Sequence, residues 1–273
     1  GTRHTDRPGY KTMTFEEEVK DRDGRLAATI RTPGYKIDGK AAAPNLNVAK
    51  LGYHLRKYYV GVKYESYSEV SLPVFRLAEV YLNHAEAKAE LGTLTQTDLD
   101  KTIKPIRARV GMPALDMKAA NANPDPYLCG EWGYKNVSGE FKGVILEIRR
   151  ERAVELVQEG HRYYDVIRWA EGHTFETPLQ GLYFPGEGTY DIDGDGQNDV
   201  TLYKDTKPAG AAALALKIGV DIVLSDGDSG SLEPHKNARS GWKWDDGKDY
   251  YYPIPTDDRS LTNGALTQNP GWD

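Results

Sequence analysis

Residues Ile145–Trp169, ILEIRRERAVELVQEGHRYYDVIRW, decide the fold of this chain, because they place charges where the core of a helix belongs. At 3.6 residues per turn, Ile145, Ile148, Arg152, Leu156 and Glu159 fall on one face, with Glu155 beside them. Leu146, Ala153 and Val157 make a second apolar face, and Val154 lies further round. Only the arc of Glu147, Glu151 and Gln158 reads as solvated. A helix covered on most of its circumference packs between other helices. Arg152 among isoleucines needs a partner, and Glu155 and Glu159 lie along the same side at i+3 and i+7. The spacing predicts a structural, partly buried ion network of Arg152, Glu155 and Glu159, in preference to an acid/base site. The helix is expected to run to about Glu159, to break at Gly160 and to hand over to a partner helix from His161.

Upstream, Val74 to Leu91 (VFRLAEVYLNHAEAKAEL) reads as another helix, with Pro73 at its first position and Gly92 just past its end. Ala78, Ala85 and Ala89 would let a neighbour approach closely. A following helix is expected from Asp98 as N-cap, carrying Leu99, Ile103, Ile106 and Val110, with a kink or late start at Pro105. The fold class is therefore mainly α, with helix pairs near 73–110 and 144–172. The pairs begin about 70 residues apart, close to twice the ~34-residue tetratricopeptide period.

Residues 1–70 read as short strands and loops, including RLAATIRTPGY (Arg25 to Tyr35) and KYYVGVKY (Lys57 to Tyr64). Residues 111–142 form a long polar insertion, of the kind that more often carries function than not. Residues 173–250 read as Gly- and Asp-rich loops and short strands, and the tail from Tyr250 as non-helical.

The chain is soluble in character, with 39% hydrophobic residues and a mean hydropathy of −0.64. Its net charge of −6, without a basic run, lacks the positive surface that phosphates need and is read as no nucleic-acid partner. The single cysteine, Cys129, excludes an intrachain disulfide and a multi-cysteine metal site. No stretch reaches the ~18 apolar residues of a membrane span.

DIDGDGQNDV, residues 191–200, carries the strongest metal signal. Asp191, Asp193, Asp195 and Asp199 occupy positions 1, 3, 5 and 9 of a calcium loop, Gly196 the sharp turn, and Gln197 would offer its backbone carbonyl. Position 12 is Leu202, so the EF-hand is incomplete, and the same residues also suit a plain Asp-Gly turn. A structural Ca2+ that braces the loop is the expected cofactor.

Eighteen tyrosines stand against five Phe and five Trp, a bias that suits sugar faces and wet interfaces. Trp132, Tyr134, Tyr183, Trp242 and Trp244 are the candidates for stacking on a ligand, the alternative being satellite core under long loops. No GxSxG, HExxH, Walker A or GxGxxG motif occurs, the six histidines show no ligand spacing, and no carboxylate pair is marked by a local motif. No catalytic residue is assigned.

The string R-x-E-R-x-x-E-L-x-x-E-G-H-R-x-x-D-x-x-R-W, ending at Trp169, resembles the signature of the SusD/RagB family of outer-membrane nutrient-binding proteins. LPVFRLAEVYLNHAEAKAELG (Leu72 to Gly92), IRARVGMP (Ile106 to Pro113), DGRLAATIRTPG (Asp23 to Gly34) and the tail YYYPIP…LTQNPGW (Tyr250 to Trp272) match in the same order. The resemblance implies a superhelix of tetratricopeptide-like helix pairs with long loops and a few short strands. It implies a non-enzymatic protein, lipid-anchored on the outer face of the outer membrane, that captures glycans, or peptides in some lineages, for a SusC-like TonB-dependent transporter. It treats Arg152, Glu155, Glu159, Gly160, Arg162, Asp165, Arg168 and Trp169 as scaffold. On this reading 1–273 is the C-terminal portion, with a complete C-terminus and without the anchor and N-terminal half. A protein-interaction scaffold with no small ligand is the alternative, and a carbohydrate-active hydrolase a third.

Overall fold

The structure is a computed structural model that describes residues 3–59 and 71–272. Helix α1 (Phe15–Val19) starts at Thr14, whose side chain forms a reciprocal capping box with Glu17. Helix α2 (Gly24–Thr29) is capped by Asp23, and a two-residue hairpin, β1 (Lys36–Ile37) and β2 (Lys40–Ala41), follows. The expected strand character of 25–35 is thus corrected. The Asp23 side chain accepts from Arg25 N at 2.9 Å and starts RLAAT as a helix, and of this stretch Ile30 bridges, to Leu55. Most of Lys57 to Tyr64 lies outside the described residues.

Helix α3 (Leu77–Glu90) begins at Arg76, later than the expected Val74, and Pro73 stays outside it. Gly92 follows in the left-handed region. Helix α4 (Gln96–Lys101) is capped by Thr95, with Asp98 closing the box from the third position, so Asp98 is not the N-cap. The chain breaks at Thr102 and resumes as α5 (Ile103–Ala108), with Pro105 in its first turn, where a missing N–H costs nothing. The insertion is not all loop: Asp116 caps α6 (Met117–Ala122).

Helix α7 (Lys142–Glu155) holds the centre, and its main helical neighbours are α3 and α6. Its first N–H groups are met from outside, by Asn121 Oδ1 of α6 accepting from Val144 N at 2.8 Å. Gly143 is required there, because a Cβ would come within 1.9 Å of the Ala120 carbonyl. The helix stops at Glu155, earlier than expected: Gln158 and Gly160 both turn left-handed, and α8 (His161–Arg168) starts directly after.

Beyond a short 3-10 turn at Gly172–Glu176, the chain builds small sheets. Strand β3 (Tyr183–Phe184) pairs antiparallel with β7 (Gly230–Ser231). Strand β5 (Val200–Tyr203) lies between β4 (Gly188–Tyr190), antiparallel, and β6 (Leu214–Lys217), parallel. Against expectation, the tail contains a helix, α9 (Thr256–Leu261).

Among the described residues, two apolar clusters result. One gathers Leu82 and Ala85 of α3, Leu99 of α4, Ile103 of α5 and Val144, Leu146 and Ile148 of α7. The other gathers Phe15, Ile30 and Leu46 with Leu182, Phe184, Val200, Leu202 and Leu232 around the strands. Among the described residues, no helix is long and apolar enough to cross a membrane.

Candidate functional site

The charges of α7 form a ladder of ion pairs, with partners that differ from the expected ones. Arg152 is buried, but its Nε donates to Asp165 of α8 at 2.6 Å and its Nη1 to Asn83 of α3 at 2.5 Å. Glu155 instead receives Arg25 at 3.0 Å, Arg76 at 2.6 Å and Arg109 at 2.8 Å. Glu159 receives Lys57 and Arg76, both at 2.6 Å. The correction follows from the early helix end: beyond Glu155 the backbone turns away, so i+7 no longer means the same face. Glu151, expected in solvent, is 2% exposed and bound by Arg25 at 2.6 Å and Arg107 at 2.7 Å.

Burial pushes the Glu155 carboxyl up, yet hydrogen bonds from Arg76 and Arg25 outweigh it and hold the group below the usual carboxylate range. Glu159 and Glu86 are lowered by the same balance. Glu86 accepts from Trp169 Nε1 and Arg168 Nη2, each at 2.7 Å, so Arg168 and Trp169 tie α8 to α3. Each of these carboxylates is paired with at least one guanidinium or ammonium group, which suits a brace.

In the acidic loop, carboxylate oxygens of Asp191, Asp193 and Asp195 lie within 4.8 Å of one another. Asp191 accepts from Gly194 N and Gly196 N, both at 2.7 Å, and Asp195 from Gln197 N at 2.8 Å. Asp199 accepts from Ile192 N at 2.7 Å and closes the turn. Glu16 of α1 adds a carboxylate beside Gly194, within 3.3 Å of where a Cβ would stand. Burial raises the Asp193 carboxyl, and Asp199 and Asp195 raise it further. Gathered negative charge of this kind, with a buried member, has the donor set of a hard cation site.

The five aromatic candidates separate. Tyr134 presents no ring to solvent: it is 5% exposed, packs edge-on against Trp169 at 5.5 Å and accepts from Arg162 at 2.7 Å. Its place is the helical core, reached because the insertion folds back onto α7 and α8. Tyr183 sits on β3 opposite Ser231. Trp242 and Trp244 share one loop, whose Lys243 reaches towards Trp132. Lys243 lies 6.0 Å from the Trp132 ring, and Trp244 packs on Phe175 and Tyr250.

That loop belongs to an aromatic band that sequence reasoning did not assemble. Tyr163 of α8 stacks on Phe175 at 5.9 Å and lies 6.2 Å from Tyr252. A hydrogen bond with Tyr252 pushes the Tyr163 phenol up to about 12. Tyr164, Tyr251 and Tyr252 are exposed. The consecutive tyrosines in HRYYD and KDYYYP were the available signal. Beside the band lies a hollow of about 150 Å³, lined by Glu176, Pro178, Leu179, Glu233, His235, Lys236, Arg239 and Trp242. A larger hollow of about 370 Å³ between α1 and α2 has no aromatic wall. Only the first offers a ring face, Trp242, which is 44% exposed.

The SusD family model matches residues 1–272. No curated protein sequence is significantly similar to the chain. A solved SusD-like carbohydrate binding protein of Bacteroides fragilis shares 22% identity and a TM-score of 0.55, over 95% of this chain and 44% of its own. A second SusD-like protein of the same organism shares 22% identity and a TM-score of 0.55, over 93% of this chain and 40% of its own. The chain thus spans less than half the length of these two relatives, whose likeness establishes the fold.

Proposed function

Because the chain belongs to the SusD family, we propose that it takes part in non-catalytic capture of glycans at the cell surface. In this proposal the glycan passes to a SusC-like TonB-dependent transporter of the outer membrane, and the protein is held there by a lipid anchor. Residues 1–273 act as the C-terminal portion of such a binding protein. Its helices, α3 with α4 and α5, and α7 with α8, serve as tetratricopeptide-like units that carry the loops.

The observation that carries the reading is the exposed Trp242 face in a polar-walled hollow, next to the band of Tyr163, Phe175, Trp244, Tyr250 and Tyr252. A sugar presents an apolar C–H face and a rim of hydroxyls, so it needs a ring to stack on and charged or polar groups at the edge. Trp132, Trp242 and Trp244 are the stacking residues in this proposal.

Calcium is proposed as a structural ion held by Asp191, Asp193 and Asp195, with Gln197 and Asp199 completing the loop and Glu16 within reach. It would brace the connection from β4 to β5.

Calorimetry against a panel of oligosaccharides and peptides tests the central claim. Heat with an oligosaccharide, lost in Trp242→Ala, is expected. Silence throughout would favour a protein-interaction scaffold, and turnover of any glycan would revive a hydrolase.

A further inference from the structure

The charges around Trp242 say which sugars the hollow accepts, an inference that rests on the glycan-capture reading. Its two carboxylates are already engaged. Glu176 accepts from Lys243 Nζ at 2.9 Å and Trp244 N at 3.0 Å, and those bonds hold it below the usual carboxylate range. Glu233 has Lys236 at 3.8 Å, and Lys236 Nζ also donates to the Ser225 carbonyl at 2.6 Å.

Arg239 is the odd member. Its Nη2 donates to the Phe175 carbonyl and its guanidinium lies 5.3 Å from the Trp242 ring centre. Among the described residues it makes no ion pair with a carboxylate. A guanidinium carries five N–H donors in a planar fork that matches a carboxylate, so most of its donors and its whole charge are left for a ligand. His235 adds a further donor to the same wall. In a chain of net charge −6, a pocket whose anions are neutralised and whose arginine is not is a local reversal of sign.

A hollow of about 150 Å³ has room for one six-membered ring, since engineered cavities of that size bind benzene. We infer that the hollow is a subsite for one anionic pyranose, a hexuronate, stacked on Trp242 with its carboxylate on Arg239. The Arg239 guanidinium lies over the Trp242 ring, 5.3 Å from its centre, so a carboxylate on a sugar seated beside that indole comes within reach of the fork.

The test is calorimetry with trigalacturonate and with its methyl ester, which has the same shape without the charge. The acid is expected to bind at least tenfold tighter than the ester, with the preference shrinking as salt rises. Arg239→Gln should bring the acid-to-ester ratio close to one, and Arg239→Lys should keep a preference for the acid. Each variant is checked for an unchanged circular dichroism spectrum. Equal affinities for acid and ester in the unmodified protein would overturn the hexuronate subsite and leave glycan capture standing. Silence with these two sugars and with every neutral oligosaccharide would overturn both.

Discussion

Arg152 and Asp165 meet across the turn at Gly160, with 2.6 Å between Nε and Oδ2 and both side chains buried. The pair fixes α8 against α7, and its members are not equally replaceable. Asp165 keeps Arg168, at 2.9 Å, when Arg152 is lost. Among the described residues, Arg152 without Asp165 keeps the Asn83 amide and a distant Glu86, at 4.0 Å. Asp165→Ala should therefore cost about 3 kcal/mol, as one-sided breaks of buried pairs do, and Arg152→Met clearly less. Urea unfolding of the two variants measures the difference, and equal losses would speak against this asymmetry.

Acid should loosen the ladder. Glu86, Glu155 and Glu159 have folded values below the ordinary 4.5. Their stabilisation is thus complete above pH 4.5 and disappears as pH falls through the lower folded values. Glu155→Gln should flatten the fall of the urea midpoint below pH 4.5. Arg109→Ala, whose side chain is 57% exposed, should cost less than ~1 kcal/mol at neutral pH. A Glu155→Gln variant with an unchanged acid slope would refute the ladder's role.

Gly143 is where α6 crosses the start of α7. Gly143→Ala has no flexible side chain to push aside, since the obstruction is the Ala120 backbone. A loss of about 3 kcal/mol or more is expected, at or above the usual range for overpacking. Gly160→Ala should cost only about 1 kcal/mol, because it meets open space and strains the backbone alone. Thermal melts of both variants decide this order.

For the acidic loop, calcium at a hundred times its dissociation constant should raise the melting temperature by roughly 5–10 °C. Chelator should reverse the rise, and Asp195→Asn should weaken the response. A melting temperature indifferent to calcium and chelator would remove the ion from the proposal.

The burial of α7 on most sides was legible from Ile145, Ile148 and Leu146, because helical periodicity alone places them. The partner of Arg152 was not legible. Same-helix spacing pointed to Glu155 and Glu159, while the true contacts come from Asp165, beyond two left-handed residues, and from Asn83, 69 positions away. Arg25 gave no local sign that it reaches Glu151, 126 positions on. Helix α1 was overlooked although TFEE carries the capping-box spacing, and α9 was masked by Pro253 and Pro255, which precede the helix instead of breaking it. At the candidate site, single tryptophans were visible as residue types. Their grouping depends on how the 242–252 loop returns to the turn at Gly172–Glu176, and nothing in the local pattern encodes that.

The ladder on α7 also has a consequence for change over time. Arg25 belongs to the segment beside the strand cluster, and Glu151 and Glu155 to the helix that anchors the other cluster. An apolar interior tolerates any filling of the right volume, but a fork of donors tolerates little except its acceptor. Either interior can therefore be rebuilt while the charged seam stays as it is, and the loop around Trp242 lies outside that seam altogether. The charged seam is thus the mortar of the chain, and the loops beyond it can change without rewriting it.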